Sequence, residues 1–185
     1  MEDKANYRRS NKVFIATSLD GFISDINGGI DWLDTFPEIN TIDTGYHSFT
    51  AAMDAMVMGR ATFEKVLSFG IEWPYKIPVF VLSHSLKEID DAYDGKVFLM
   101  KGPVEEVLQK IHQQGFNNLY IDGGTLIQDF LRSDLIDEMI ITIIPVLLGE
   151  GIPLFGHLSN SLVFECINTK HYLGKVVQNH FKRRR

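Results

Sequence analysis

The chain has 185 residues, 45% hydrophobic and 23% charged, with a formal net charge of −6. That balance fits one globular domain with a substantial core and argues against general nucleic-acid binding, which needs a basic footprint. No apolar run approaches the roughly 18–20 residues that span a bilayer, and six scattered histidines with a single cysteine give neither metal-ligand spacing nor an intrachain disulfide.

Residues 1–11 are polar and read as a loose leader without the apolar core of a signal peptide. The expected domain is therefore 12–182, and the cytoplasm is its expected place. Residues 13–16 form a first buried strand, followed by Thr17-Ser18-Leu19-Asp20-Gly21, where Asp20-Gly21 is a turn signal. Residues 26–36 read as a loop in which Trp32 can wall a pocket or plug the core edge. Tyr46, Phe49, Ala52 and Met53 suggest a short amphipathic helix.

Residues 55–58 are a buried strand that meets Gly59-Arg60-Ala61-Thr62 at once, and Phe63, Val66 and Leu67 continue at helical spacing. An arginine beside a helix start can grip phosphate with its planar fork of donors, or tether the loop to a carboxylate. Another strand, 78–82, ends in Ser83-His84-Ser85, groups that can bind a ribose or its 2′-phosphate or simply cap the next turn of the chain. A short strand at 96–100 leads through Gly102 to a helix with Pro103 at its first position. Val104, Val107, Leu108 and Ile111 share one face of that helix, and Gly115 closes it.

Residues 119–121 then run into Asp122-Gly123-Gly124, a helix with Leu126, Ile127, Phe130 and Leu131 on one face, and a β-branched strand at 139–144. Glycines between a strand and a helix suit a nucleotide diphosphate, because free N–H groups and the helix dipole favour an anion. Residues 162–171 and 175–181 read as a hairpin around Leu173-Gly174. Cys166 in it reads as a small core residue, and 182–185 as a solvated basic tail. The pattern is α/β, a mixed sheet with an antiparallel C-terminal end. Its glycine-bearing strand ends at Gly59, Gly102 and Gly123-Gly124 share one sheet edge.

Five pieces in order closely resemble the dihydrofolate-reductase-like superfamily: Ser18-Leu19-Asp20-Gly21-Phe22-Ile23, Met58-Gly59-Arg60-Ala61-Thr62-Phe63-Glu64, Val81-Leu82-Ser83, Ile121-Asp122-Gly123-Gly124-Thr125-Leu126, and Pro145-Val146-Leu147-Leu148-Gly149-Glu150-Gly151-Ile152-Pro153-Leu154-Phe155. Within it they look most like stand-alone homologues of the C-terminal reductase domain of riboflavin-biosynthesis proteins. The resemblance implies a three-layer sandwich, a central mixed sheet with an antiparallel C-terminal hairpin, and NADPH across the carboxyl ends of its strands. It matches Gly59, Arg60 and Thr62 to the cofactor-phosphate loop, and Ser83, with His84 beside it, to the 2′-phosphate position. Gly123, Gly124, Thr125 and Leu126 match the diphosphate turn, and Ala16 with the Ser18–Asp20 loop the wall beside the nicotinamide.

The implied activity is hydride transfer to a small, pyrimidine- or pterin-like heterocycle. Asp20 is the candidate proton donor and Trp32 the candidate substrate wall. Pro37 falls near the carboxylate position of folate-reducing members, and Ile121 is read as standing where pyrimidine-reducing members carry a glutamate. Two alternatives stand beside this reading. One is the 5-amino-6-(5-phosphoribosylamino)uracil reductase of riboflavin synthesis; the other is a nucleotide-binding protein without turnover. A homodimer using the apolar 140–148 region is also implied.

Overall fold

A computed structural model describes residues 9–185. Its centre is an eight-stranded sheet in the order β5-β4-β3-β6-β1-β7-β10-β9. The strands are β1 (Ser10–Ser18), β3 (Ala55–Gly59), β4 (Val79–Leu82), β5 (Val97–Met100), β6 (Asn118–Asp122), β7 (Glu138–Ile144), β9 (Phe164–Tyr172) and β10 (Val176–Arg183). The six strands from β5 to β7 pair in parallel, and β10 pairs antiparallel with both β7 and β9. Two short strands, β2 (Phe22–Ser24) and β8 (Ile152–Pro153), form a separate antiparallel pair beyond the end of β1.

Strand alternation divides the core into two layers. Val57, Phe80, Leu119 and Ile121 face one side, against Val107, Leu108 and Ile111 of α3 (Val104–Gln113) and Leu126, Ile127 and Phe130 of α4 (Gly124–Arg132). Met56, Met58, Val79, Val81 and Tyr120 face the other, against Phe49 of α1 (Tyr46–Ala51) and Phe63 of α2 (Arg60–Ser68). Sheet and flanking helices make the expected mixed α/β sandwich. No helix of the described residues is long and apolar enough to cross a membrane.

Four expectations need correction. Residues 1–8 of the leader lie outside the described residues, but β1 already begins at Ser10. Asn11 is buried rather than solvated: its amide Nδ2 donates to Leu135 O at 2.8 Å and its backbone N to Asp137 Oδ2 at 2.8 Å, while its Oδ1 is buried without a partner. The basic tail is docked. Arg183 donates through Nε and Nη2 to both Asp134 oxygens, at 2.7 and 3.0 Å, and Arg185 Nη1 to Asp137 Oδ1 at 2.6 Å. This bidentate pairing ties the last strand to the corner between α4 and β7. Cys166 is exposed, because β9 is an edge strand and the apolar run around it covers little of the core. Pro103 precedes α3 as its cap residue rather than opening its first turn.

The β9–β10 turn carries a strained residue. Leu173 and Gly174 have φ of +53° and +66°, and Lys175 N donates to Tyr172 O at 3.0 Å. Both central residues are left-handed, as in a type I′ turn, which favours Asn-Gly. Leu173 is more than half exposed, so its side chain adds little packing to offset that strain. Leu173→Asn is expected to raise stability by about 0.5–1 kcal/mol. An unchanged or lower urea midpoint at constant m-value would contradict this.

Candidate functional site

Parallel pairing aligns the strand ends. The register sets Met58 beside Asp122, Gly59 beside Leu82, and Ser18 beside Ile144. The loops that follow enclose an open cleft of about 1,400 Å³ along this edge. Helices α2, α3 and α4 all begin on it, and none has a side chain capping its first N–H groups. Unsatisfied helix N-termini carry partial positive charge and point donors outward. Three of them on one cleft favour an anionic ligand.

The tightest junction is between two of those starts. Gly123 has φ +95°, and a Cβ built on it would overlap Thr62 Oγ1. Only glycine satisfies both the backbone and the space. Gly124 is buried beside it, where a Cβ would press on Ile23 Cδ1 of β2. The first turns of α2 and α4 therefore stand side by side with their N–H groups open to the cleft. Arg60 also lines it, with a side chain half exposed and paired to Glu64 at 3.1 Å, one helical turn away. Such exposed i,i+4 pairs contribute only about 0.3–0.5 kcal/mol, so the guanidinium is readily redirected.

Ser83 is buried and its Oγ accepts from the N–H groups of Ser85 and Leu86, at 3.2 and 3.0 Å. It caps the loop, and its own O–H is left to donate. His84 is exposed on the rim. Ala16, Gly59, Arg60, Thr62, Ser83, His84, Gly123, Gly124, Thr125 and Leu126 all line the cleft. Ser18, Asp20 and Trp32 do not.

Asp20 is a fastener. Its carboxylate accepts from Ser18 Oγ at 2.6 Å, Gly149 N at 2.8 Å and Leu148 N at 3.2 Å, joining the loop after β1 to the 145–151 loop. The Ser18 hydroxyl, with the two backbone N–H groups, holds its pKa below the usual carboxylate value. An exposed, acidified carboxylate outside the cleft is a poor proton donor. Trp32 lies in the 3-10 turn Asp31–Thr35, half-buried, with its indole N–H buried and unbonded. Its neighbours Ile30 and Leu33 line the cleft instead.

The carboxyl at the cleft floor belongs to Asp122. Ile121 is fully buried between β6 and the α3–α4 layer, so a glutamate there would point into the apolar core rather than at a ligand. The next side chain of the strand emerges on the opposite face, where Asp122 lines the cleft. Half-buried there, it has a pKa pushed up to about 6, chiefly by burial, while the Gly123 N–H pulls it down. Its charge in turn helps to raise the pKa values of Tyr46, Tyr75 and Tyr120, after burial itself, so these phenols stay neutral. Tyr120 Oη donates to Phe14 O at 2.9 Å and packs edge-on to Phe49. The sequence signal for Asp122 was its alternation with Tyr120 out of phase with buried Leu119 and Ile121.

Comparison with known proteins agrees with this architecture. The RibD C-terminal domain profile matches residues 12–177. The uncharacterized protein YwjB of Bacillus subtilis is 37% identical over 177 residues, covering 95% of this chain and 98% of that protein. A Shewanella sp. PV-4 structure, assigned to riboflavin biosynthesis by inference, superposes with a TM-score of 0.91 at 49% identity, covering 95% and 99% of the two chains. The Thermotoga maritima diaminohydroxyphosphoribosylaminopyrimidine deaminase/5-amino-6-(5-phosphoribosylamino)uracil reductase shares the fold at a TM-score of 0.73 and 16% identity, covering 96% of this chain and 57% of that one. An Enterococcus faecalis dihydrofolate reductase complexed with NADP(H) does so at 0.61 and 18%, covering 95% and 97%. With a family profile matched from β1 into β10, this chain belongs to the RibD C-terminal domain family, built on the dihydrofolate-reductase-like fold.

Proposed function

We propose that the protein is an NADPH-dependent reductase of a small heterocycle, with Asp122 as its proton source. The observation that carries this reading is a carboxyl with a pKa near 6 at the floor of a cleft where three uncapped helices begin. Family membership supports the reductase class, and the named activities of the Thermotoga and Enterococcus proteins support pyrimidine- or pterin-like rings and NADPH. The Gly123 turn, packed against Thr62 on the cleft edge, supports a diphosphate approaching the neighbouring backbone N–H groups.

In this reading the first-turn N–H groups of α2 and α4 hold the diphosphate, with Gly59, Arg60 and Thr62 on one side and Gly124, Thr125 and Leu126 on the other. Ser83 and His84 meet the 2′-phosphate end, and Ala16 walls the nicotinamide. When bound, the cofactor supplies a hydride, and with it both electrons, to the carbon of a C=N or C=O bond. Asp122 supplies the balancing proton to the heteroatom from its carboxyl O–H. The resulting carboxylate is reprotonated from water through the open cleft. A pKa near 6 keeps a useful fraction protonated near neutral pH while still allowing release.

Asp122→Asn is expected to lower kcat by about 10²–10⁴-fold while NADPH still raises the melting temperature. Wild-type kcat/KM should fall as pH rises above about 6. Stability moves in the same sense with pH. The folded-state pKa lies above the unfolded value, so the folded protein binds the proton more tightly and loses stability as pH rises from about 4 to about 6. The substitution removes that loss, making the variant more stable than wild type at neutral pH by up to about 3 kcal/mol. Unchanged turnover with an unchanged pH profile would end Asp122's role as proton donor.

Gly123→Ala should weaken NADPH binding at least tenfold. Gly95→Ala provides a strain control: its φ is also positive, at +72°, but it lies in open space away from the cleft. Equal loss of NADPH affinity in both variants would show general strain rather than a cradle. We also infer a homodimer. Leu19 and Leu147 are 59% and 69% exposed on neighbouring backbones joined by a Leu19 N–H to Val146 O bond of 2.8 Å. Sedimentation as a monomer at micromolar concentration would rule it out.

A further inference from the structure

The cleft is chemically two-sided. Among the described residues, its basic side chains are Arg60 and Lys65 on α2, His84 after β4, and Arg132 on α4, with Glu64 and Asp129 of the same helices paired to Arg60 and Arg132. These are the elements proposed to hold the cofactor. The wall contributed by β1, residues 30–33, Tyr75 and β6 presents Phe14, Ile30, Leu33, Tyr75, Tyr120 and the Asp122 carboxyl, and among the described residues no cation.

That wall is braced. Tyr120 is tied by its hydroxyl to Phe14 O and stacks edge-on against Phe49, with ring centres 5.1 Å apart. Tyr75 meets Trp73 at 5.2 Å, and Trp73 in turn meets Phe63 at 5.9 Å and Tyr93 at 5.3 Å, so the outer ring stands on an aromatic column. Fixed aromatic faces favour flat rings at low entropic cost. A phosphate brought to this wall would meet an acidic group and no counter-charge, and would be desolvated without compensation.

We propose that the substrate side takes a planar heterocycle without a phosphate group, in contrast to the phosphoribosyl substrate named for the Thermotoga enzyme. The proposal rests on the reductase reading for which side is the substrate's. The acidic floor accepts a ring N–H or donates to a ring nitrogen, and the apolar wall takes the ring face. Selectivity here comes from a missing cation on one wall, which a single substitution can supply.

The test is calorimetric titration of the full-length protein, free and NADPH-loaded, with two ring pairs. One is 5-amino-6-ribosylaminouracil and its 5-phosphate; the other is 7,8-dihydroneopterin and its 3′-phosphate. At least one unphosphorylated ring should bind tenfold or more tightly than its phosphate. Leu33→Arg, which places a cation on the half-buried cleft wall, should narrow or reverse that ratio, with circular dichroism confirming the fold. Tighter binding of both phosphates by the wild type, or no binding of either free ring, overturns the proposal. Failure of NADPH to raise the melting temperature sinks the reductase reading separately, while the ring ratio is still read on the free protein.

Discussion

Everything at this site depends on the contact of Gly123 with Thr62. Two parallel strands deliver their chains side by side, and both must turn into helices within one residue. The turns can sit this close only because one of them lacks a Cβ and adopts a positive φ. A side chain at Gly123 would have to displace the Thr62 hydroxyl and would sit on a strained, positive-φ backbone. The same closeness sets the floor of the cleft. With Met58 in register with Asp122, the carboxyl emerges between two helix starts and above an aromatic layer.

Two aspartates at neighbouring strand ends show how environment assigns a role. Asp20 meets a hydroxyl and two N–H groups, all of which favour its charged form. Asp122 meets packed side chains and one N–H, and burial prevails. The first is held ionised and ties two loops together; the second is poised to exchange a proton near neutral pH. Residue type and distance from a glycine would not separate them. Burial and hydrogen bonding do.

The sheet and the edge that carries its cleft were legible in the sequence because their signals are local. Continuous apolar runs at β3, β4 and β6 mark strands buried on both faces, and glycines at their ends mark the turns into helices. What was not legible depends on partners far along the chain. Asp20 bonds Leu148 and Gly149 128 and 129 residues away, and Arg183 bonds Asp134 across 49 residues. A polar loop and a basic tail are the natural local readings of both. Cys166 failed for a related reason: an apolar stretch has the same sequence on a central strand and on an edge. Asp122 was the exception, since the alternation that exposes it lies within β6 itself, one residue before the glycines that end the strand.

The acidity of Asp122 is tied to the integrity of the second core layer. Tyr120, Phe14 and Phe49 belong to that layer, and Phe14 and Tyr120 line the cleft together with the carboxyl, whose pKa burial raises. Loosening these rings would admit water and lower the pKa, and because Phe14 and Tyr120 are themselves ladder residues of β1 and β6, it would disturb the parallel pairing as well. The proposed proton donor therefore depends on burial beside the aromatic layer, whereas the proposed anion site depends on the glycine junction. These two supports meet at one residue step, from Asp122 to Gly123. A substitution can disable either half of the site while leaving the other in place.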